Sequence, residues 1–439
     1  MKKFFLPILI FQAYLHLQSQ ILILPERNRA EVINGIIEDR LHNLLPALMR
    51  REGIDMWILI SREYNEDPVM KTMLPAEWLS ARRRTVFIFT DNGKEVNKMA
   101  VARYDVGLLK GSWDLNVYPD QWEAVVHEIN NFNPKHIGID YSSNYAHADG
   151  LSHSEYELLI QKLPGDFKNK IVSAEKLAVA WLETRTDKEM VLYEQINRIS
   201  HEILREGLSS KVIQPGATTT EDVVWWYRQR ITDLGLETWF HPTVDIQRAD
   251  TARFDHLRTF SKRPGQEIIQ PGDLLHVDFG ISYLRLNSDI QEHAYVLRPG
   301  EKDVPDYLQK AFMTANRLQD ILTYNFKSGL SGNQILANAL MQAKEEGING
   351  SIYTHPIGFH GHAAGPTIGM WDNQIKIVGP GDYPLAPNTV FSIELNAITP
   401  VAEWNNKPIR MMLEQDGYFD GKSFRYIDGR QEKIYAVQR

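Results

Sequence analysis

Four acidic residues stand inside runs that otherwise read as buried β-strands, where an unpaired carboxylate costs several kcal/mol (about 2–7 for a lone polar group, far more for a charge). The runs are DLLHVDFG (273–280), NSDIQEHAYVL (287–297), NTVFSIELNA (388–397) and PIRMMLEQDG (408–417), and the acids are Asp278, Asp289, Glu394 and Glu414. Turn-compatible residues from Leu284 to Asn287 join the first two runs into a hairpin. A hairpin axis between Tyr283 and Leu284 sets Asp278 directly opposite Asp289, with Cβ atoms about 4.5–5.5 Å apart. In the third run, period-two alternation puts Val390, Ser392, Glu394 and Asn396 on one face. Taken singly, each acid reads as a strand end or a salt-bridged residue. Together they repel one another unless cations lie between them. Oxygen ligands with an imidazole suit Mn²⁺, Co²⁺, Fe²⁺ or Zn²⁺. Four carboxylates over-neutralise one dication, and a pair of dications about 3.5–4 Å apart balances them.

The imidazole source is THPIGFHGHAAGP (354–366), which carries His355, His360 and His362. Its prolines and glycines exclude a helix, so it is no helical HExxH zinc site, and HExxH occurs nowhere in the chain. The chain has no cysteine, which removes disulfides, thiolate zinc sites and cysteine nucleophiles together. There is no G-x-S-x-G and no P-loop. A formal net charge of −8 gives no electrostatic support to a nucleic-acid or anionic-membrane partner.

The 439 residues suit two domains. MKKFFLPILIFQAYLHLQSQ (1–20) has the layout of a secretory signal peptide. Its apolar run is too short to span a bilayer in the mature chain, so a periplasmic or secreted location is expected. Residues 21–180 read as an α/β unit. A helical pattern runs from Arg27 to Gly53, and MWILIS, TVFIFT and HIGID are strand-like. From 181 to 439 the pattern changes to long charged helices and Gly-bounded strand pairs, with the transition near Arg185.

The order Asp278, Asp289 eleven residues later, then His, Glu394 and Glu414 resembles the pita-bread metallopeptidases: aminopeptidase P, prolidase and methionine aminopeptidase. HVDFG followed by NSD resembles their paired-aspartate hairpin, FSIELN and MLEQDGYF their two glutamate strands, and GIDMWIL the N-terminal domain of the creatinase and aminopeptidase P branch. The resemblance implies an α+β chain, with a C-terminal pita-bread catalytic domain preceded by a creatinase-type α/β domain. It implies two divalent metals, with Mn favoured over Zn, Co or Fe. Asp278 would chelate one metal, Asp289 and Glu414 would bridge, and His355 and Glu394 would complete the second. A rival register makes His362 the ligand, and then lacks its second histidine, because position 369 is Gly. In the first register His362 contacts the substrate, and His360 lies on the loop surface. An upstream substrate-side histidine is also implied, His256 in FDHLRTF or His241 in WFHPTV. Glu394 would shuttle the proton, with His362 and His256 stabilising the oxyanion after attack by a metal-bridging hydroxide.

The implied activity is release of the residue before proline from a peptide substrate by an Xaa-Pro aminopeptidase. A prolidase-like dipeptidase and a non-catalytic scaffold are the alternatives, and a homodimer is the implied assembly. Three features depart from the family pattern. Ser351 stands where a histidine is common, Glu292 where an arginine is usual, and MWDNQIKIVGPGDYPLAP is inserted before Glu394.

Overall fold

The computed structural model describes residues 21–249 and 267–438. The expected signal peptide and His256 lie outside the described residues. Among the described residues no helix is long and apolar enough to cross a membrane.

The helical pattern that opens the chain forms two helices, Glu26–Asp39 and Leu45–Glu52, joined by a π-turn at Arg40–Leu44. Pro46 explains the turn, because a proline inside a helix supplies no N–H and crowds the preceding backbone. The helix stops at Gly53, whose φ of 67° only glycine adopts without strain. The N–H of Ile54 then bonds back to Met49 O at 3.0 Å.

The three strand-like runs of the first half are strands β1 (Met56–Arg62), β2 (Arg84–Asp91) and β5 (Ile137–Ile139). With β3 (Val96–Ala100), β4 (Lys110–Gly111) and β6 (Ile171–Ser173) they make a six-stranded sheet ordered β4-β3-β2-β1-β5-β6. Both faces are covered, which is why these runs are apolar without alternation. Trp57, Leu59, Phe87 and Phe89 pack on one side with Leu41 and Trp181. Met56, Ile58, Ile60 and Ile88 pack on the other with Trp122 and Ile129.

The long helix Asp187–Gly207 follows, opened by a capping box between Thr186 and Glu189. The remaining strands form smaller sheets. β7 (Thr243–Gln247), β8 (Leu274–Phe279), β11 (Ile290–Val296) and β19 (Tyr435–Val437) make one, ordered β19-β11-β8-β7. β12 (Gly350–Ile352), β15 (Leu395–Val401) and β16 (Lys407–Leu413) make a second. β13 (His355–Pro356), β14 (Thr389–Ser392), β17 (Asp416–Phe419) and β18 (Phe424–Tyr426) make a third. Val277, Phe279 and Ala294 pack with Ile196, Ile203 and Tyr227 in one core. Leu395, Ala397 and Met411 pack with Phe312, Leu318 and Leu336 in another. Helices therefore close the outer faces and leave the polar faces of the strands turned inward.

Two expectations about these strands need correction. The short strands β9 (Ser282–Tyr283) and β10 (Leu286–Asn287) form the hairpin tip, with Tyr283 paired to Leu286. The axis therefore falls between Leu284 and Arg285, and Asp278 pairs with Gln291 rather than Asp289. The turn uses Leu284 and Arg285 at φ 53° and 63°. That conformation is normally signalled by Asn or Gly. The error moves the partner by two residues, so Asp289 keeps the face of Asp278 as a diagonal neighbour. Second, the run 388–397 is no single strand. It leaves the ladder at Ile393 and Glu394, between β14 in one sheet and β15 in the other.

Candidate metal centre

Five side chains converge where the chain changes from one sheet to another. Asp278 comes from the end of β8, and Asp289 from the residue before β11. His355 starts β13. Glu394 lies between β14 and β15, and Glu414 between β16 and β17. Both glutamates thus occupy sheet-to-sheet crossovers, where the backbone bends and the side chain enters the gap. The N–H of Tyr353 and the hydroxyl of Thr354 donate to the Glu394 carbonyl at 3.1 and 3.0 Å. Glu414 and Gln291 form an antiparallel bridge, in which the Gln291 N–H donates to the Glu414 carbonyl at 3.0 Å and the Glu414 N–H to the Gln291 carbonyl at 3.4 Å.

Ligand atoms of Asp278, Asp289 and Glu414 lie within 4.8 Å of one another, as do those of His355, Glu394 and Glu414. Glu414 belongs to both triads. His355 Nε2 is 3.8 Å from Asp289 Oδ2 and 3.8 Å from Glu414 Oε1. Asp289, His355 and Glu414 are buried. Burial first, and the Glu414 carboxylate second, push Asp278, Asp289 and Glu394 well above the usual carboxylate range. Burial also lifts Glu414 to about 7, against the hydrogen bonds from Ser392 and Gln291 that hold it down. His355 is pushed down to about 3 by burial, with His362 adding to the effect.

The donor set fits divalent cations. His355 Nδ1 faces the Pro356 carbonyl at 3.0 Å, which places the ring proton there and leaves Nε2 as a lone pair. That Nε2 is buried and has no hydrogen-bond partner, and Asp278 Oδ1 is in the same condition. Orphaned buried acceptors facing a crowd of carboxylates are satisfied by a cation and by little else.

His362 stands at the mouth, exposed, with its ring centroid 4.7 Å from that of His355 and 5.3 Å from that of Trp239. It shares a 4.8 Å cluster with Asp289 and His355 but not with the glutamates, so the structure places His355 rather than His362 beside Glu394 and Glu414. His241 packs its ring 5.4 Å from Trp225, with Nδ1 3.1 Å from an Arg228 nitrogen. His360 is not on the loop surface as the sequence suggested. Its ring lies 4.5 Å from that of His147, its Nε2 is buried without a partner, and burial takes its pKa to about 3. The contact comes from the first half of the chain, beyond the reach of local pattern. Glu292, where an arginine was expected, faces away from the centre. It accepts from Tyr435 OH at 3.2 Å and lies 3.9 Å from His201 Nε2.

Gln291, which no motif in the sequence marks, ties the two glutamates together. Its Nε2 donates to Glu394 Oε1 at 3.0 Å and to Glu414 Oε2 at 2.7 Å. Its Oε1 is 2.9 Å from His276 Nε2, which must therefore be the donor. The available signal was a polar residue in a fully buried strand, opposite Asp278 once the register is right. Partners that orient ligating carboxylates are worth about 10–100-fold in metal affinity. Gln291→Leu is therefore expected to weaken Mn²⁺ binding to chelator-stripped protein by about 10–100-fold in titration calorimetry. Unchanged affinity would remove Gln291 from this role.

Comparison with known proteins agrees with the geometry. The profile of metallopeptidase family M24 matches residues 192–425, more than half of the chain. No curated protein matches it in sequence. Among solved structures, it resembles an X-Pro aminopeptidase from Thermotoga maritima at 17% identity and TM-score 0.63, covering 89% of this chain and 100% of that one. An Xaa-Pro dipeptidase from Bacillus anthracis gives 15% identity and TM-score 0.58, covering 94% and 100%. A prolidase from Pyrococcus furiosus gives 18% and 0.55, covering 88% and 100%. These identities establish a common fold, a pita-bread domain preceded by an N-terminal α/β domain. The profile match, spanning Asp278 to Glu414, goes further: the chain belongs to metallopeptidase family M24 and is a metal-dependent peptide hydrolase.

Proposed function

We propose that the chain is an Xaa-Pro aminopeptidase, which releases the residue before proline from the N-terminus of a peptide with the help of two divalent cations, Mn²⁺ foremost. The observation that carries this reading is the pair of ligand triads sharing Glu414, with His355 Nε2 unpartnered between them. Asp278 would hold one cation and His355 and Glu394 the other, with Asp289 and Glu414 serving both. The chemistry such cations supply when bound is Lewis-acid activation of a water and of the scissile carbonyl.

The protein's own groups do the rest. Glu394 takes a proton from the attacking water and passes it to the leaving amine. Gln291 donates to Glu394 Oε1 at 3.0 Å and steadies the carboxylate for that exchange. His362, exposed beside His355, donates to the oxyanion as the carbonyl becomes tetrahedral. His256 is the second donor in this proposal. An Xaa-Pro bond is a tertiary amide without N–H. A site that reads the carbonyl and the α-amine, and pairs with no backbone N–H at the scissile bond, accepts it. The proposal includes export directed by residues 1–20, a division between domains at residue 181, and a homodimer.

Hydrolysis of Ala-Pro-Ala, Ala-Pro and Ala-Ala-Ala by the mature chain with added Mn²⁺ tests the reading. Alanine release from Ala-Pro-Ala, cut by at least about a hundredfold in Glu394→Gln, is expected. Cleavage of Ala-Pro alone would make the protein a dipeptidase. No cleavage and no bound metal would leave only a scaffold.

The raised carboxylate pKa values also set a pH dependence. In the metal-free protein these acids bind protons more tightly folded than unfolded, so the stability they allow is present at low pH and lost as pH rises towards the folded values, about 7 for Glu414. Bound cations remove that loss. Chelation is therefore expected to lower the melting temperature strongly at pH 8 and much less at pH 5, measured by scanning calorimetry. An equal effect at both pH values would contradict the assignment.

A further inference from the structure

At one end of the six-stranded sheet, well separated in sequence from the metal ligands, β1 ends, β2 begins and the chain leaves β3 around a cleft of about 560 Å³. Five arginines line it: Arg62, Arg82, Arg83, Arg84 and Arg103. This is against the trend of a chain with net charge −8. The acids nearby do not neutralise it. Arg84 pairs with the buried Glu155 at 2.7 Å, and Arg62 reaches the same carboxylate at 3.8 Å. Glu63, the one acid in the lining, accepts the backbone N–H of Arg83 at 3.3 Å. Arg82, Arg83 and Arg103 have no acidic partner among the described residues.

Three of the five guanidinium groups are also held in place. Arg82 lies 4.8 Å from the Trp78 ring, Arg84 5.1 Å from Trp122 and Arg103 5.7 Å from Trp113. Stacking on an aromatic face restrains the planar group and leaves its N–H edges for a ligand. Tyr64 and Tyr104, both exposed, add aromatic surface to the lining. The volume falls in the range of about 300–1,000 Å³ typical of ligand sites.

We propose that this cleft binds a short acidic peptide, its carboxylates received by the unpaired arginines and its aliphatic parts by the tyrosine rings. Arginine forks match carboxylates with two parallel hydrogen bonds. The chain's net charge of −8 disfavours a long polyanion, whereas a ligand of a few residues matches the size of the arginine-lined cleft. The peptide class rests on the peptidase assignment. The cleft would give the enzyme a second, non-catalytic contact with acidic substrates or products.

Binding can be read without hydrolysis, so failure here and failure of the proposed activity are distinguishable. Titration calorimetry of the full-length mature chain with N-acetyl-tetraglutamate amide at low salt is the experiment, with the tetraglutamine analogue and inorganic tripolyphosphate as further arms. Saturable binding of the acidic peptide, weakened by at least about tenfold in the Arg83→Glu/Arg103→Glu double variant and unaffected by Lys422→Glu, is expected. Equal binding of the neutral peptide, or unchanged affinity in the double variant, overturns the proposal. So does binding of tripolyphosphate without the peptide, or a double variant that changes only self-association.

Discussion

Mutual repulsion among Asp278, Asp289, Glu394 and Glu414 is the constraint around which the second half of the chain is arranged. Charges of one sign, taken out of water and set in two 4.8 Å clusters that share Glu414, cannot all ionise unless opposite charge joins them. The fold accepts this cost at a place where the backbone is already irregular. Glu394 and Glu414 sit at the two crossovers between sheets, and Asp289 at the start of a strand rather than within it. Helices pack on the outer faces of the same strands and supply the apolar burial that offsets the polar interior. Gln291 then holds Glu394 and Glu414 with one neutral amide, adding two donors and no charge.

How much of this could be read from the sequence depended on the range of the interaction. Acids inside apolar strand runs are a local signal, and all four lie in the centre. The alternation-free runs at Trp57 and Phe87 are buried on both faces, as their composition requires. The hairpin register was missed because Leu284 and Arg285 adopt positive φ without the usual Asn or Gly. The break at Glu394 was missed because both flanks have strand composition, and only their different partners separate them. The packing of His360 on His147 and the clasp of Gln291 on the two glutamates join distant parts of the chain. No periodicity records such contacts.

The two halves of the molecule use charge in opposite ways. The second half gathers acids and leaves them to be neutralised by something bound. The first half gathers five arginines at the end of its sheet and steadies three of them on tryptophans. Between the halves the buried Glu189 receives Arg40 at 2.7 Å and Arg185 at 3.0 Å, so that an ion cluster is shut inside the molecule. Arg40 lies on the π-turn that Pro46 imposes, which links a local backbone irregularity to the contact between the halves.

In the proposed site Glu414 is shared by two cations. Elemental analysis of the purified chain, alongside Glu414→Ala, tests it most directly. Two divalent ions per wild-type chain, and loss of at least one in the variant, are expected. No bound metal in the wild type, or two ions retained without Glu414, would contradict it.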